Sequence, residues 1–172
     1  NHQFTEEFQM AEIFYLNSRY SMVLLMPRQT SLAEFSQTFD YDRYVEILYG
    51  VKSGEVILKM PKFEYESSFS AGSVLKSLGM NTPFTASADF GGMYEEGAQP
   101  LFISDVIHKA YVSVDEQGTE AAAATAVIVG ATSIQPEEDP IEMVFDHPFL
   151  FVIRDRQSGL ILFMGNMVNP LD

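Results

Sequence analysis

Residues 118–125 read GTEAAAAT, and the conformation given to this stretch decides how the rest of the chain is understood. Alanine is the best helix former, yet the run follows YVSVDEQ (111–117) and precedes AVIVGATS (126–133), both of which have the composition of extended chain. Written as a strand, Thr119, Ala121, Ala123, Thr125, Val127 and Val129 share one face, with Glu120, Ala122, Ala124, Ala126 and Ile128 on the other. The first face is small or β-branched throughout, whereas charged Glu120 belongs toward water. The odd-numbered face is therefore the one that can be buried in a sheet, and small residues at 121 and 123 let such a strand slip between existing strands. On this local pattern alone, a plain loop or a short alanine helix stands equally open.

Outward from this stretch, the chain reads as strands with interspersed helices. Residues 105–116 (DVIHKAYVSVDE) alternate well enough for a long strand. At the start, FQMAEIFYL (8–16) and YSMVLLM (20–26) form a hairpin around Asn17, Ser18 and Arg19, with the second strand stopping at Pro27. Ser31 with Glu34 three residues on has capping-box spacing, and Asp40 precedes YDRYVEILY with apolar residues at helical intervals, so two short helices follow. EVILKMPKFEYE (55–66) reads as a strand with a bulge or an end at Pro61, and residues 70–78 as a helix closed by Gly79. The tail reads as two apolar strands, 148–154 and 160–165, turning at Gly159. No repeat or low-complexity linker divides the chain, which predicts one α+β domain with a mostly antiparallel sheet.

Composition excludes several classes. With 10 basic and 24 acidic residues among 172, the formal charge is −14, which repels phosphate backbones and anionic lipid surfaces; no nucleic-acid or membrane partner is expected. There is no cysteine, so neither a disulfide nor a thiol nucleophile is available. The longest apolar runs, FLFVI (149–153) and LILFM (160–164), fall far short of the roughly 18 residues of a membrane-spanning helix. The polar N-terminus NHQFTEEFQM shows no signal peptide.

The sequence assembles no catalytic or metal constellation. Histidines at 2, 108 and 147 are too scattered for ligand spacing, so no metal or other cofactor is expected. Glu137, Glu138 and Asp139 lack the spacing and glycine of an EF-hand and read as a solvated loop. Asp89, Phe90 and Gly91 spell DFG without the catalytic loop that gives the motif meaning in kinases, and no GxSxG elbow supports a serine hydrolase.

Four stretches in fixed order carry a family resemblance: LKMPKFEYE (58–66), LKSLGMNTPFTASADFGGM (75–93), ISDVIHKAYVSVDEQGTEAAAAT (103–125) and HPFLFVIRDRQSGLILFMGNMVNP (147–170). Together they resemble the serpins, serine protease inhibitors that act by a large conformational change, and the likeness runs from about residue 8 onward. The resemblance implies the serpin fold, a mostly antiparallel multi-sheet α+β architecture with surrounding helices, of which residues 1–172 supply the C-terminal part of a single domain. Residues 118–136 then become the reactive-centre loop, and Glu116, Gln117, Gly118, Thr119, Glu120, Ala121, Ala122, Ala123, Ala124 and Thr125 its hinge. Counting fourteen residues on from Gly118, as the family pattern directs, places the scissile bond after Thr132, between Thr132 and Ser133, with Ala131 as the alternative one residue earlier.

The implied function is that of a suicide substrate rather than an enzyme: a protease attacks the loop, and the cleaved loop inserts into the main sheet by loop insertion before the acyl-enzyme can hydrolyse. No Lys or Arg lies between Gln117 and Ile153, so a trypsin-like protease finds no side chain for an acidic primary pocket, and elastase-like or subtilisin-like serine proteases are the expected targets. By position, His108 matches a histidine of the family's shutter region, and Lys62 with Glu116 a salt-bridged pair at the top of the main sheet. The alternative within the family is a non-inhibitory carrier, chaperone or binding protein; only Glu120 among residues 119–125 departs from the small or β-branched character that insertion requires. The resemblance also implies the N-terminal half of the domain as a partner and favours a secreted or extracellular setting.

Overall fold

The computed structural model describes residues 1–16, 18–93, 99, 101–115 and 140–170. Two compact units divide the chain: Asn1–Phe63 with Val114–Asp172, and Glu64–Ser113.

The first unit is organised by a five-stranded sheet in the order β1 (His2–Phe4), β2 (Phe8–Phe14), β3 (Tyr20–Pro27), β8 (Phe149–Asp155) and β9 (Ile161–Met167). Every neighbouring pair in it is antiparallel, with Met10 opposite Leu25, Val23 opposite Val152, and Leu150 opposite Asn166. The expected hairpin and the two tail strands are all present, and Gly159 turns the last pair with φ +76°, the left-handed region that glycine enters without a Cβ penalty. Strand β3 ends at Pro27, which pairs with Phe8, in keeping with the stop expected there.

The sheet is covered on both faces in the middle because alternate side chains find different partners. Phe8, Met10, Val23, Leu25, Leu150 and Val152 pack against Leu32 and Phe35 of α1 (Leu32–Thr38) and Tyr44 and Ile47 of α2 (Tyr41–Tyr49). Both helices begin where capping residues satisfy otherwise unpaired amides: the Ser31 hydroxyl accepts from Glu34 N at 3.2 Å while the Glu34 carboxylate accepts from Ser31 N at 3.0 Å, and Asp40 accepts from Arg43 N at 2.8 Å. The opposite face is aromatic: Phe63 lies 5.3 Å from Phe151, and Phe145 meets Phe149 edge-on at 5.6 Å.

The expected single strand over 55–66 is two strands. Pro61, with no amide hydrogen to offer a ladder, falls between β4 (Val56–Lys59) and β5 (Phe63–Ser70), which belong to different strand pairs. β4 pairs with β7 (Ile141–Val144) in parallel, Val56 opposite Ile141 and Lys59 opposite Val144, a parallel pair within the mostly antiparallel pattern expected. Neither β1 nor β7 was legible as a strand.

In the second unit β5 lies beside β6 (Ile107–Val114), with a Lys109–Glu66 ion pair at 2.5 Å. The short helix α3 (Gly72–Ser77) follows, and Gly79 at φ +100° ends it as the glycine pattern predicts. Asp105 fastens its start, accepting from the Ser70 hydroxyl at 2.6 Å and from Val106 N at 2.7 Å; those two bonds hold its carboxyl below the usual aspartate range. No helix among the described residues is long and apolar enough to cross a membrane.

Candidate functional site

The expected hinge at 116–125 and the expected bait bond at Thr132–Ser133 lie outside the described residues, as does Glu116. What the structure describes is the pair of strands between which that segment runs. On its upstream side β6 ends at Val114, 8% exposed, so the strand delivers the chain from a buried position. On its downstream side the chain enters β7 at Ile141.

The downstream anchor is built from few bonds and much packing. Ile141 N donates to Glu55 O at 3.1 Å at the entry to β7, and Phe145 N donates to Lys59 O at 2.8 Å just past its end. Between them Met143 is fully buried, and Phe145 is 1% exposed. Gln9, buried on β2, adds a crosslink: its amide nitrogen donates to Val144 O at 2.6 Å and thereby ties the five-stranded sheet to β7. Sequence reasoning missed Gln9; an amide in the otherwise apolar FQMA run was the available signal, since a buried polar side chain requires a partner. The following turn carries Asp146 and His147, whose side chains meet at 2.7 Å; this contact lowers the Asp146 carboxyl below its ordinary value.

Of the two site residues that fall in the described part, Lys62 is exposed in the connection between β4 and β5. His108 stands exposed on β6 with its ring 5.2 Å from that of Phe69. Among the described residues no three His, Cys, Asp or Glu side chains cluster closely enough to hold a metal ion.

Residues 1–170 match the family model described as Serpin (serine protease inhibitor). The chain belongs to the serpin family. An uncharacterised serpin-like protein of Thermococcus kodakarensis is 36% identical over 167 residues, which cover 97% of this serpin and 38% of that relative. The leukocyte elastase inhibitor of Sus scrofa is 38% identical over 169 residues, 94% of this serpin and 43% of the relative. Among solved structures, the thermophilic serpin tengpin in its native state superposes with a TM-score of 0.77 at 30% identity, over 98% of this serpin and 43% of tengpin. The fold is thus a partial serpin fold, and the chain spans about two fifths of the length of these relatives. The family is one of protease inhibitors whose typical device is loop insertion.

Proposed function

We propose that the chain is the bait-carrying C-terminal part of an inhibitory serpin, consumed as a suicide substrate by a serine protease rather than acting as an enzyme. The protease attacks the carbonyl of Thr132, Ser133 leaves as the new N-terminus, and the acyl-enzyme is carried off as residues from Gly118 onward enter the main sheet. Loop insertion adds a strand to the main sheet and releases stored strain on cleavage, a property of the family. The observation that carries the reading is the hinge sequence GTEAAAAT standing within a family match over residues 1–170. Small side chains at 121 and 123 meet the steric demand of a strand that must enter an already formed sheet.

Target choice follows from the loop's chemistry. Gly130, Ala131 and Thr132 suit small or medium apolar primary pockets, and the absence of Lys and Arg from 118–152 disfavours trypsin-like enzymes. The relative named leukocyte elastase inhibitor supports the same direction. The partner that completes the molecule is the N-terminal half of the serpin domain, in keeping with the 38–43% of each relative's length that the chain spans.

The test mixes the complete protein with an elastase-like or subtilisin-like protease and resolves the products on a denaturing gel. A covalent complex that survives SDS is expected, together with a heat-stable cleaved form. Cleavage between 131 and 133 with neither complex nor gain in heat stability would move the assignment to a non-inhibitory carrier or binding serpin. Rapid stoichiometric inhibition of trypsin without effect on elastase would overturn the target class.

A further inference from the structure

His2 and Lys52 form an isolated antiparallel bridge at the edge of the five-stranded sheet, His2 N donating to Lys52 O at 2.9 Å and Lys52 N to His2 O at 2.8 Å. Residues opposed in this way carry their side chains on the same side of the ribbon. The side chains of His2 and Lys52 therefore leave the ribbon on the same side, and both residues line a cavity of about 500 Å³. That volume falls within the range of small-molecule pockets.

The cavity wall contains polar atoms with nothing to bond. His2 is 6% exposed, yet its Nδ1 has no hydrogen-bond partner, and Gln3 Oε1 is buried in the same condition. Unpartnered buried groups are rare in folded proteins, and each calls for a reason. Glycine lets both side chains lie close against the backbone: a Cβ on Gly54 would stand 2.8 Å from His2 Cε1, and one on Gly50 would stand 2.6 Å from Gln3 Nε2. Phe4, 50% exposed, and Ile141, 38% exposed, add apolar surface to the lining. Glu55 also lines the cavity, and its charge disfavours molecules with several negative charges more than those with one.

We infer that this cavity binds a small organic monoanion, its acidic head between His2 and Lys52 and its apolar remainder against Phe4 and Ile141. The formal charge of −14 repels anions at long range, so binding must be carried by charge-assisted contacts at this one place. The site goes beyond protease trapping and does not depend on it, since the cavity is formed by residues on either side of the bait segment and none within it.

The experiment titrates the complete protein with hexanoate by calorimetry and follows the histidine Cε1–H resonances by NMR, with hexylamine and inorganic phosphate as comparison probes. Saturable hexanoate binding is expected, with movement of the resonance that is missing from His2→Phe. Hexylamine should give no saturation, and phosphate, which has the charge without the apolar body, should bind at least tenfold more weakly than hexanoate. Lys52→Gln, an exposed change that leaves the backbone bridge intact, should weaken hexanoate at least tenfold, as should Gly54→Val by displacing the His2 ring that lies against Gly54. Absence of saturation, equal binding of the amine, phosphate binding as tight as hexanoate, or an unchanged affinity in Lys52→Gln would each overturn the site. Protease inhibition is scored separately, so a protein that binds hexanoate but traps no protease overturns the inhibitory reading alone.

Discussion

Glu12 is a carboxylate with 3% of its side chain exposed, and the residues around it account for its tolerance in an apolar strand. It accepts from the Ser21 hydroxyl at 2.8 Å and the Asn1 amide at 2.7 Å, while Arg154 Nε and Arg156 Nε approach at 3.5 and 3.7 Å. Removing one partner of such a group leaves the others buried without compensation. Glu12→Ala in the complete protein is expected to lower the unfolding free energy by about 3 kcal/mol in a guanidinium titration, and Glu12→Gln by less because the Ser21 bond survives. Asp155 makes a pH-dependent contribution. Arg19, bonding it at 2.9 Å, and the backbone amides of Gln157 and Ser158 hold its carboxyl below the ordinary aspartate value of 3.8. A depressed folded pKa stabilises the protein above the unfolded value, and that stabilisation is lost as pH falls through the folded one. Stability should thus decline below about pH 4, and Arg19→Gln should flatten that decline when urea midpoints are compared between pH 5 and pH 2.

Among the elements, α1 depends on its first turn, because seven residues are too few to hold a helix by propensity. Ser31→Ala removes the reciprocal cap and is expected to cost about 1 kcal/mol, read as a fall in the denaturant midpoint. For the hinge the expected effect is kinetic: Ala123→Glu places a charge on the face that must be buried, so protease should cleave the loop and be released, with cleaved product replacing the SDS-stable complex on gels. The features legible in the sequence were those written locally. Caps at Ser31 and Asp40, the glycines at 79 and 159, and the β-rich run FQMAEIF carry their meaning within a few residues. Strand β7 was not legible because IEMV acquires its state from a partner at 56–59, far away in sequence, and only Met143 of its four residues is buried. Pro61 was noticed, but which sheet each half of 55–66 would join is decided by remote pairing. Of the candidate site, the hinge was legible because insertion demands small side chains; Gln9 and the paired His2 and Lys52 were not, because their roles exist only after distant strands meet.

The whole molecule presents apolar surface that its own described residues leave open. On β9 and its flanks, Leu160, Leu162, Phe163, Met164 and Val168 are between 42% and 69% exposed. In the second unit, taken by itself, Phe69, Ile107, Tyr111 and Leu78 are at least half exposed. Exposed apolar side chains in this number belong under other chain or invite aggregation. Expressed alone, the chain should bind the dye ANS strongly and elute as oligomers in size-exclusion chromatography; joined to the N-terminal half it should run as a monomer with dye binding sharply reduced. The parallel attachment of β7 also has a mechanical consequence. A pull transmitted from the loop side would peel β7 away from β4 like tape, one rung at a time. The leading rung, Ile141 to Glu55, lies at the exposed end, whereas the last, Phe145 to Lys59, is backed by buried Met143 and Phe145. Resistance therefore climbs as the tear advances, and a load that frays the first rung meets a stop before the strand comes free.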